Sequence, residues 1–283
     1  MRVEGSKENY HLAQRICEII TIGNELLIGK ILNTNAYWLA RQITGLGIKV
    51  RRITVVGDHI NEIASSIREA MQRKTDFIIT VGGLGPTFDD KTLEGLAKAL
   101  HRKLQVNEKA LEMVKEKYES YFKEGRMEKV ELTRSRVKMA TIPEGAEPLP
   151  NPVGTAPGVM MNVSGTLIVA LPGVPSEMKA IFEGSVAPLL KSMAGNVSFF
   201  EKSIYVDDIM ESTLAPLIDQ VIHDNPQVYI KSHPKGKEKE PHIEIHLSTI
   251  ARDSKIAKKR LERAISQLSK LIKESGGRVR LQR

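Results

Sequence analysis

The stretch Gly82-Gly83-Leu84-Gly85-Pro86-Thr87-Phe88-Asp89-Asp90 sets three glycines beside a pair of carboxylates. It follows the apolar run Asp76 to Val81 and precedes a helical pattern from about Lys91 to Arg102. In an open α/β sheet, ligands bind beyond the carboxyl ends of the strands. Glycines in such a loop let backbone N–H groups approach an anion, and the next helix adds the positive end of its dipole. Asp89 and Asp90 need a separate reason, because carboxylates repel phosphate. They could hold a divalent cation, Mg²⁺ or Co²⁺, that bridges to phosphate oxygens. Alternatively, one of them could cap the helix. No Gly-Lys-Ser/Thr follows, so the loop is not a Walker motif.

Other strand ends supply further polar groups. Gly23-Asn24-Glu25 follows the apolar strand 16–22, and Asn24 and Glu25 suit a ligand or a metal-bound water. Asn33 and Asn35 open the helix over 34–45 and could reach the same place. Asp58 closes the strand Lys49 to Val56. Each has a plainer reading as a turn or backbone-bridging residue. Their recurrence at successive strand ends favours a shared site. The segment Asn151 to Gly158, with Thr155, and the turn Pro172-Gly173-Val174-Pro175 are rich in residues that build rigid turns. They could form a second wall of the pocket.

The elements that must position these residues alternate between strand and helix. A helix from Asn61 places Ile63, Ile67, Ala70 and Met71 on one face, and a charged helix covers 108–124. A further helix is expected near Val130, and 142–158 reads as a loop. A hairpin follows over Val159 to Val163 and Thr166 to Leu171, then a helix to about Lys191. Repeated βα units with apolar strands predict a mostly parallel sheet covered on both faces, a three-layer α/β/α domain. After about residue 196 the order becomes β-α-β-β-α, a small α+β module with a polar loop at Gly236. The expected organisation is an extension over 1–15, a main domain over 16–192 and a small domain over 193–283.

The chain has 283 residues and a formal charge of +8, from 42 Lys and Arg against 34 Asp and Glu. Much of the excess lies late, in Lys255 to Arg263 and Arg278 to Arg283, and reads as a solvated face. Cys17 is the single cysteine, so no intrachain disulfide can form, and a reducing compartment fits. Its apolar surroundings make it a core residue rather than a nucleophile. Neither a signal peptide nor an apolar run of membrane-spanning length is expected. These features predict a cytoplasmic protein.

Four ordered motifs carry a resemblance to a known family. They are Gly23-Asn24-Glu25-Leu26-Leu27-Ile28-Gly29 with Asn33-Thr34-Asn35, then Gly82 to Thr92, then Gly154-Thr155-Ala156-Pro157-Gly158, then Leu171 to Met178. Over residues 16–180 the chain resembles the CinA family, whose N-terminal domains share the fold of molybdopterin-binding proteins of the MoaB and MogA type. The resemblance implies metal-dependent hydrolysis of ADP-ribose, and a KH-like second domain without the RNA-clamping Gly-x-x-Gly loop. It makes Asp58 and Asp90 the functional aspartates. The nicotinamide mononucleotide deamidase domain of longer CinA proteins is not expected. The pterin-binding relatives carry Gly-Gly-Thr-Gly and an Arg where this chain has Leu84 and Asp89. That exchange favours a metal-dependent hydrolase over the alternative, molybdopterin binding with adenylyl transfer.

The expected site then assigns catalysis to Asp58, Asp90 and Glu25, and metal binding to Asp89 and Asp90. Substrate and phosphate would contact Gly23, Asn24, Asn33, Asn35, Gly82, Gly83, Leu84, Gly85, Pro86, Thr87, Thr155, Pro172 and Gly173. The partner is a nucleotide-like small molecule rather than a nucleic acid or membrane. RNA binding through the basic second module is the non-enzymatic alternative. The protein is expected to form a homo-oligomer, a dimer or trimer.

Overall fold

A computed structural model describes residues 14–195, 197–235 and 242–281. The expected N-terminal extension and the Gly236 loop therefore lie largely outside the described residues. The chain divides into two compact units, one of Met1–Ile43 with Ile48–Ala194, the other of Thr44–Gly47 with Gly195–Arg283.

The first unit opens with β1 (Ile16–Ile22), a short helical turn α1 (Asn24–Leu27), α2 (Thr34–Gly45) and β2 (Lys49–Val56). Next come α3 (Ile60–Gln72), β3 (Phe77–Val81), α4 (Thr92–Ala99), β4 (Leu104–Val106), α5 (Glu108–Lys123) and α6 (Arg134–Met139). The short strands β5 (Thr141–Pro143) and β6 (Glu147–Leu149) precede the hairpin of β7 (Gly158–Val163) and β8 (Thr166–Leu171). Helix α7 (Pro175–Ile181) passes through a π-helical turn (Phe182–Val186) into α8 (Ala187–Met193).

The central sheet has the order β2-β1-β3-β8-β7-β6. Strands β2, β1, β3 and β8 run parallel, while β7 is antiparallel to both its neighbours. Alternation along the strands divides the buried residues between two faces. Ile20, Ile22, Ile78, Ile168 and Ala170 pack with Ile63, Ala64, Ile67 and Ala70 of α3 and with α4 and α5. Ile19, Phe77, Ile79 and Val169 alternate with these and are also buried. The buried residues of α2, α7 and α8 stand outside that first cluster, which leaves these helices for the opposite face. The fold is thus α/β with a mostly parallel central sheet. Gly95 lies within α4 because α3 passes so close that an added Cβ would lie 2.4 Å from an Ile63 methyl carbon.

Two local expectations change. Residues 142–158 are not all loop, since β5 pairs with β4 in a separate two-stranded sheet and β6 joins the main sheet. Three-residue strands among Pro and Gly carry no period-2 signal. The helix expected near Val130 begins at Arg134, with Thr133 accepting the Arg136 amide at its start. Cys17 is buried, and burial holds its thiol far above the ordinary range, which suits an inert core residue.

The second unit is a four-stranded antiparallel sheet with two helices. It comprises β9 (Ser198–Asp207), α9 (Glu211–Asp224), β10 (Tyr229–Pro234), β11 (His242–Ala251), α10 (Ser254–Glu274) and β12 (Arg278–Leu281), in sheet order β10-β11-β9-β12. Helix α10 buries Ala257, Leu261, Ala264, Leu268 and Ile272, a stripe at helical spacing. Its basic outer face includes the i,i+4 pairs Lys258–Glu262 and Lys270–Glu274. His242 pairs with Asp207 at 2.7 Å and His246 with Glu201 at 2.8 Å. Among the described residues, no helix is long and apolar enough to cross a membrane.

Candidate functional site

The parallel strands bring four loop starts to one sheet edge, because β1, β2, β3 and β8 all end there. Backbone and side-chain bonds hold these loops together. Gly23 donates its amide to the Val56 carbonyl at 3.0 Å, and Gly82 donates to Leu171 at 3.0 Å. The Asn24 amide donates to Asp58 Oδ2 at 2.9 Å, and Asn24 Oδ1 accepts the Asp58 amide at 3.4 Å. An added Cβ on Gly57 would stand 2.6 Å from Asn24 Oδ1, so a side chain there would break this clasp. Asn35 Nδ2 donates to the Gly173 carbonyl at 2.7 Å, joining α2 to the turn after β8. Its Oδ1 is buried and has no hydrogen-bond partner among the described residues. A buried acceptor of this kind is costly unless something donates to it. Asn33 is more fully committed: it donates to Thr21 Oγ1 and accepts from the Ala36 amide.

The Gly82–Asp90 loop is shaped by its own contacts. Gly82 takes φ 109° and packs so tightly that a Cβ would meet the Ile22 carbonyl oxygen at 2.2 Å. Thr92 closes the loop base, its hydroxyl donating to the Gly82 carbonyl at 2.6 Å and its amide to Gly83 at 3.2 Å. Leu84 is 3% exposed and belongs to the core. Asp90 Oδ2 accepts both the Thr87 amide, at 2.8 Å, and the Thr87 hydroxyl, at 2.6 Å. The same hydroxyl also contacts Asp89 Oδ1. That bond holds the exposed Asp89 carboxyl below the usual aspartate range, with the Lys138 charge contributing less.

Neither carboxylate caps α4, since its N-terminal cap is Lys91 and no side chain bonds there. Nor does Glu25 complete a metal cluster with them: among the described residues no three His, Cys, Asp or Glu stand together to hold an ion. The Glu25 carboxylate lies instead over Gly23. On the other side of the sheet edge, Asn151 organises the Gly154 turn. It accepts the Gly154 amide at 2.8 Å and donates to Glu177 Oε2 at 2.7 Å and to the Ala156 carbonyl at 2.8 Å. A Cβ on Gly154 would stand 2.0 Å from the Glu177 carboxylate, so a side chain there would displace Glu177. Thr155 turns its hydroxyl toward Met139 Sδ.

Lys138 was not expected from the sequence. Its ammonium donates to the carbonyls of Thr87 and Asp90, the latter at 2.7 Å, and so clamps the loop from α6. Burial lowers its pKa, with the Asp90 charge opposing that shift. Lys138 comes 48 residues after Asp90, and nothing local in the sequence pairs them. Lys138→Met is expected to cost about 2 kcal/mol of stability, the scale of hydrogen bonds from a charged donor. Amide exchange across Thr87 to Lys91 should quicken. Unaltered protection of those amides would refute the clamp.

Fold and loop cluster together define an α/β protein whose glycine-rich loops gather at the carboxyl ends of its parallel strands. Residues 18–192 match the family profile of the probable molybdopterin binding domain, and the chain belongs to that family. A protein of Pyrobaculum calidifontis is 50% identical over 256 residues, 90% of this chain and 95% of its own. One from Sulfurisphaera tokodaii is 43% identical over 263 residues, 93% of this chain and 97% of its own. The crystal structure of CinA from Thermoplasma acidophilum, a protein described as of unknown function, is 43% identical with a TM-score of 0.55. The match covers 60% of this chain and 95% of that one.

These findings correct the expected activity. The matched family is described as a probable molybdopterin binding domain, so the reading as an ADP-ribose pyrophosphatase-type hydrolase is withdrawn. That reading leaned on Asp89 as a metal ligand in place of an arginine. In the structure Asp89 is an exposed carboxylate tied to its own loop through Thr87.

Proposed function

We propose that the sheet-edge loops bind a phosphorylated pterin of the molybdopterin kind. The observation that carries this reading is the family match over residues 18–192, the same span that supplies every loop of the cluster. The chemistry agrees with it. Amides of Gly83 and Gly85 suit a phosphate, which glycine-rich strand ends bind through backbone N–H groups. A pterin presents an amino group beside a ring N–H, a pair of donors. Asn35 Oδ1 has no donor of its own, and Asp58 keeps one carboxylate oxygen beyond its bond to Asn24.

We take a divalent cation, Mg²⁺ or Co²⁺, to be held by Asp89 and Asp90 together with the ligand's own phosphate oxygens, since the two carboxylates have no third ligating side chain beside them among the described residues. The Thr87 hydroxyl has a single proton for two carboxylate neighbours, and hard cations favour such oxygen donors. Bound there, the ion would offset charge on the ligand's phosphate. We further place the second unit with KH-like modules on its element order, and take the protein to be cytoplasmic and homo-oligomeric. The exposed Leu27, Ile28, Ile31 and Leu32 beside α1 support self-association.

Calorimetric titration with a pterin phosphate, with and without Mg²⁺, tests the proposal. Saturable binding is expected, weakened about tenfold, or about 1.4 kcal/mol, in Asn35→Ala. The absence of binding at millimolar ligand would refute it. Mass spectrometry after adding ATP distinguishes two roles. An adenylated pterin marks a transferase, whereas binding without product marks a binding domain.

A further inference from the structure

Between Leu27 and Tyr37 the first unit carries an apolar surface that the chain does not cover. Leu32 is 82% exposed and Ile28 75%, and Leu27, Ile31 and Tyr37 are each more than half exposed. No comparable run occurs elsewhere among the described residues. Single exposed hydrophobics are ordinary on a protein surface, but a contiguous group of them marks an interface. The run also borders the loop cluster. Leu27 Cδ1 would lie 3.5 Å from a Cβ on Gly57, just beyond β2. Asn35, within the run, bonds the Gly173 carbonyl, and the next residue, Val174, is again exposed. A body seated on the run therefore meets the rim of the ligand loops.

The charges on the run indicate what that body is. Glu25 and Lys30 are the only charged residues from Gly23 to Ala40, and they bracket the apolar turn of α1. The Lys30 amide donates to the Glu25 carbonyl at 3.0 Å, so their backbones touch. Their side chains nevertheless do not pair. The Glu25 carboxylate lies over Gly23, and neither side chain makes a hydrogen bond or ion pair among the described residues. An apolar surface with one free carboxylate and one free ammonium is complementary to itself. Turned about a two-fold axis, each copy sets its carboxylate where the other sets its ammonium. An acidic or a basic partner would leave one of these charges opposed, and a neutral partner would leave both unpaired at the contact.

We propose that a second copy of this chain seats on the run about a two-fold axis, with Glu25 of each copy against the partner's Lys30, so that each set of ligand loops has a lysine of the partner on its rim. This specifies the surface and the symmetry of the self-association taken above. It rests on the pterin reading only for what the loops hold.

Sedimentation of the full chain at micromolar concentration, together with pterin phosphate titration, tests the proposal. The expected wild type is a dimer, twice the 31.5 kDa chain. Glu25→Lys and Lys30→Glu should each weaken it about tenfold or more, because each sets like charges against one another at both ends of the contact. The double exchange should restore it. Ile28→Asp, at an exposed position, should give a folded monomer that binds pterin phosphate about tenfold more weakly than the dimer does. A dimer indifferent to Ile28→Asp would overturn the proposal, as would a double exchange no better than the single ones. A wild type that sediments as a trimer would overturn the two-fold axis, and a monomer would leave the run to a different protein and overturn the proposal outright. Equal pterin phosphate affinity in monomer and dimer would overturn the partner's place at the rim. A dimer that obeys the charge exchange but binds no pterin phosphate would support the surface and refute the pterin reading alone.

Discussion

Gly82→Ala is expected to destabilise the first unit by about 3 kcal/mol and to abolish pterin phosphate binding, since strained backbone and overpacking each cost about 1–3 kcal/mol. Two independent constraints meet at this position. Its φ of 109° is one that side chains with a Cβ rarely adopt. A methyl group would also stand 2.2 Å from the Ile22 carbonyl, on the neighbouring strand's last residue. The only relief is to separate the ends of β1 and β3, and that displaces the Gly82 amide from Leu171. Urea unfolding followed by ligand titration checks both parts. Wild-type stability with undiminished binding would show that the loop is not built as described.

The second large effect lies at the opposite end of the sheet. Glu18 is 1% exposed in β1, where its carboxylate meets Arg51 Nη2 and Arg73 Nη2, each at 2.7 Å, and Thr75 Oγ1 at 3.1 Å. Burial alone would raise its pKa, but the bonds from Arg73, Arg51 and Thr75 outweigh it and the carboxyl falls below the ordinary range. A depressed folded-state pKa makes the bound proton unfavourable to folding. This stabilisation is therefore complete above the unfolded value of about 4.3 and is lost as pH falls through the folded value. Glu18→Gln removes the charge and leaves two arginines facing an amide. The expected loss is about 3 kcal/mol at pH 7, the lower part of the range for breaking a buried ion pair, because both arginines keep some contact with water. As pH falls below about 4.3 the difference between variant and wild type should shrink. A constant difference between pH 7 and pH 3 would contradict this account.

The sheet-edge loops were legible because glycine, proline and amide residues punctuate apolar strands at the place where parallel sheets bind ligands. Asn24, Asp58 and Gly82 stand at three separate strand ends, and the parallel topology alone brings them to one edge. Lys138 was not legible. It lies in a charged stretch resembling any solvated helix, and its importance arises only when α6 packs against a loop far earlier in the chain. Glu18 left a fainter trace, a lone carboxylate inside Ile16-Cys17-Glu18-Ile19-Ile20, which demands a buried cation. Its partners come from β2 and the end of α3, so spacing could not identify them. The hydrolase expectation failed for another reason. It inferred a reaction from one exchanged side chain, Asp89, whose contacts are confined to its own turn.

The pterin reading is tested most directly by a crystal structure of the chain grown with a pterin phosphate. The account predicts phosphate oxygens about 3 Å from the Gly83–Gly85 amides, with the ring's donor edge on Asn35 Oδ1 and Asp58. A bound pterin phosphate that leaves this loop and Asn35 untouched would contradict it.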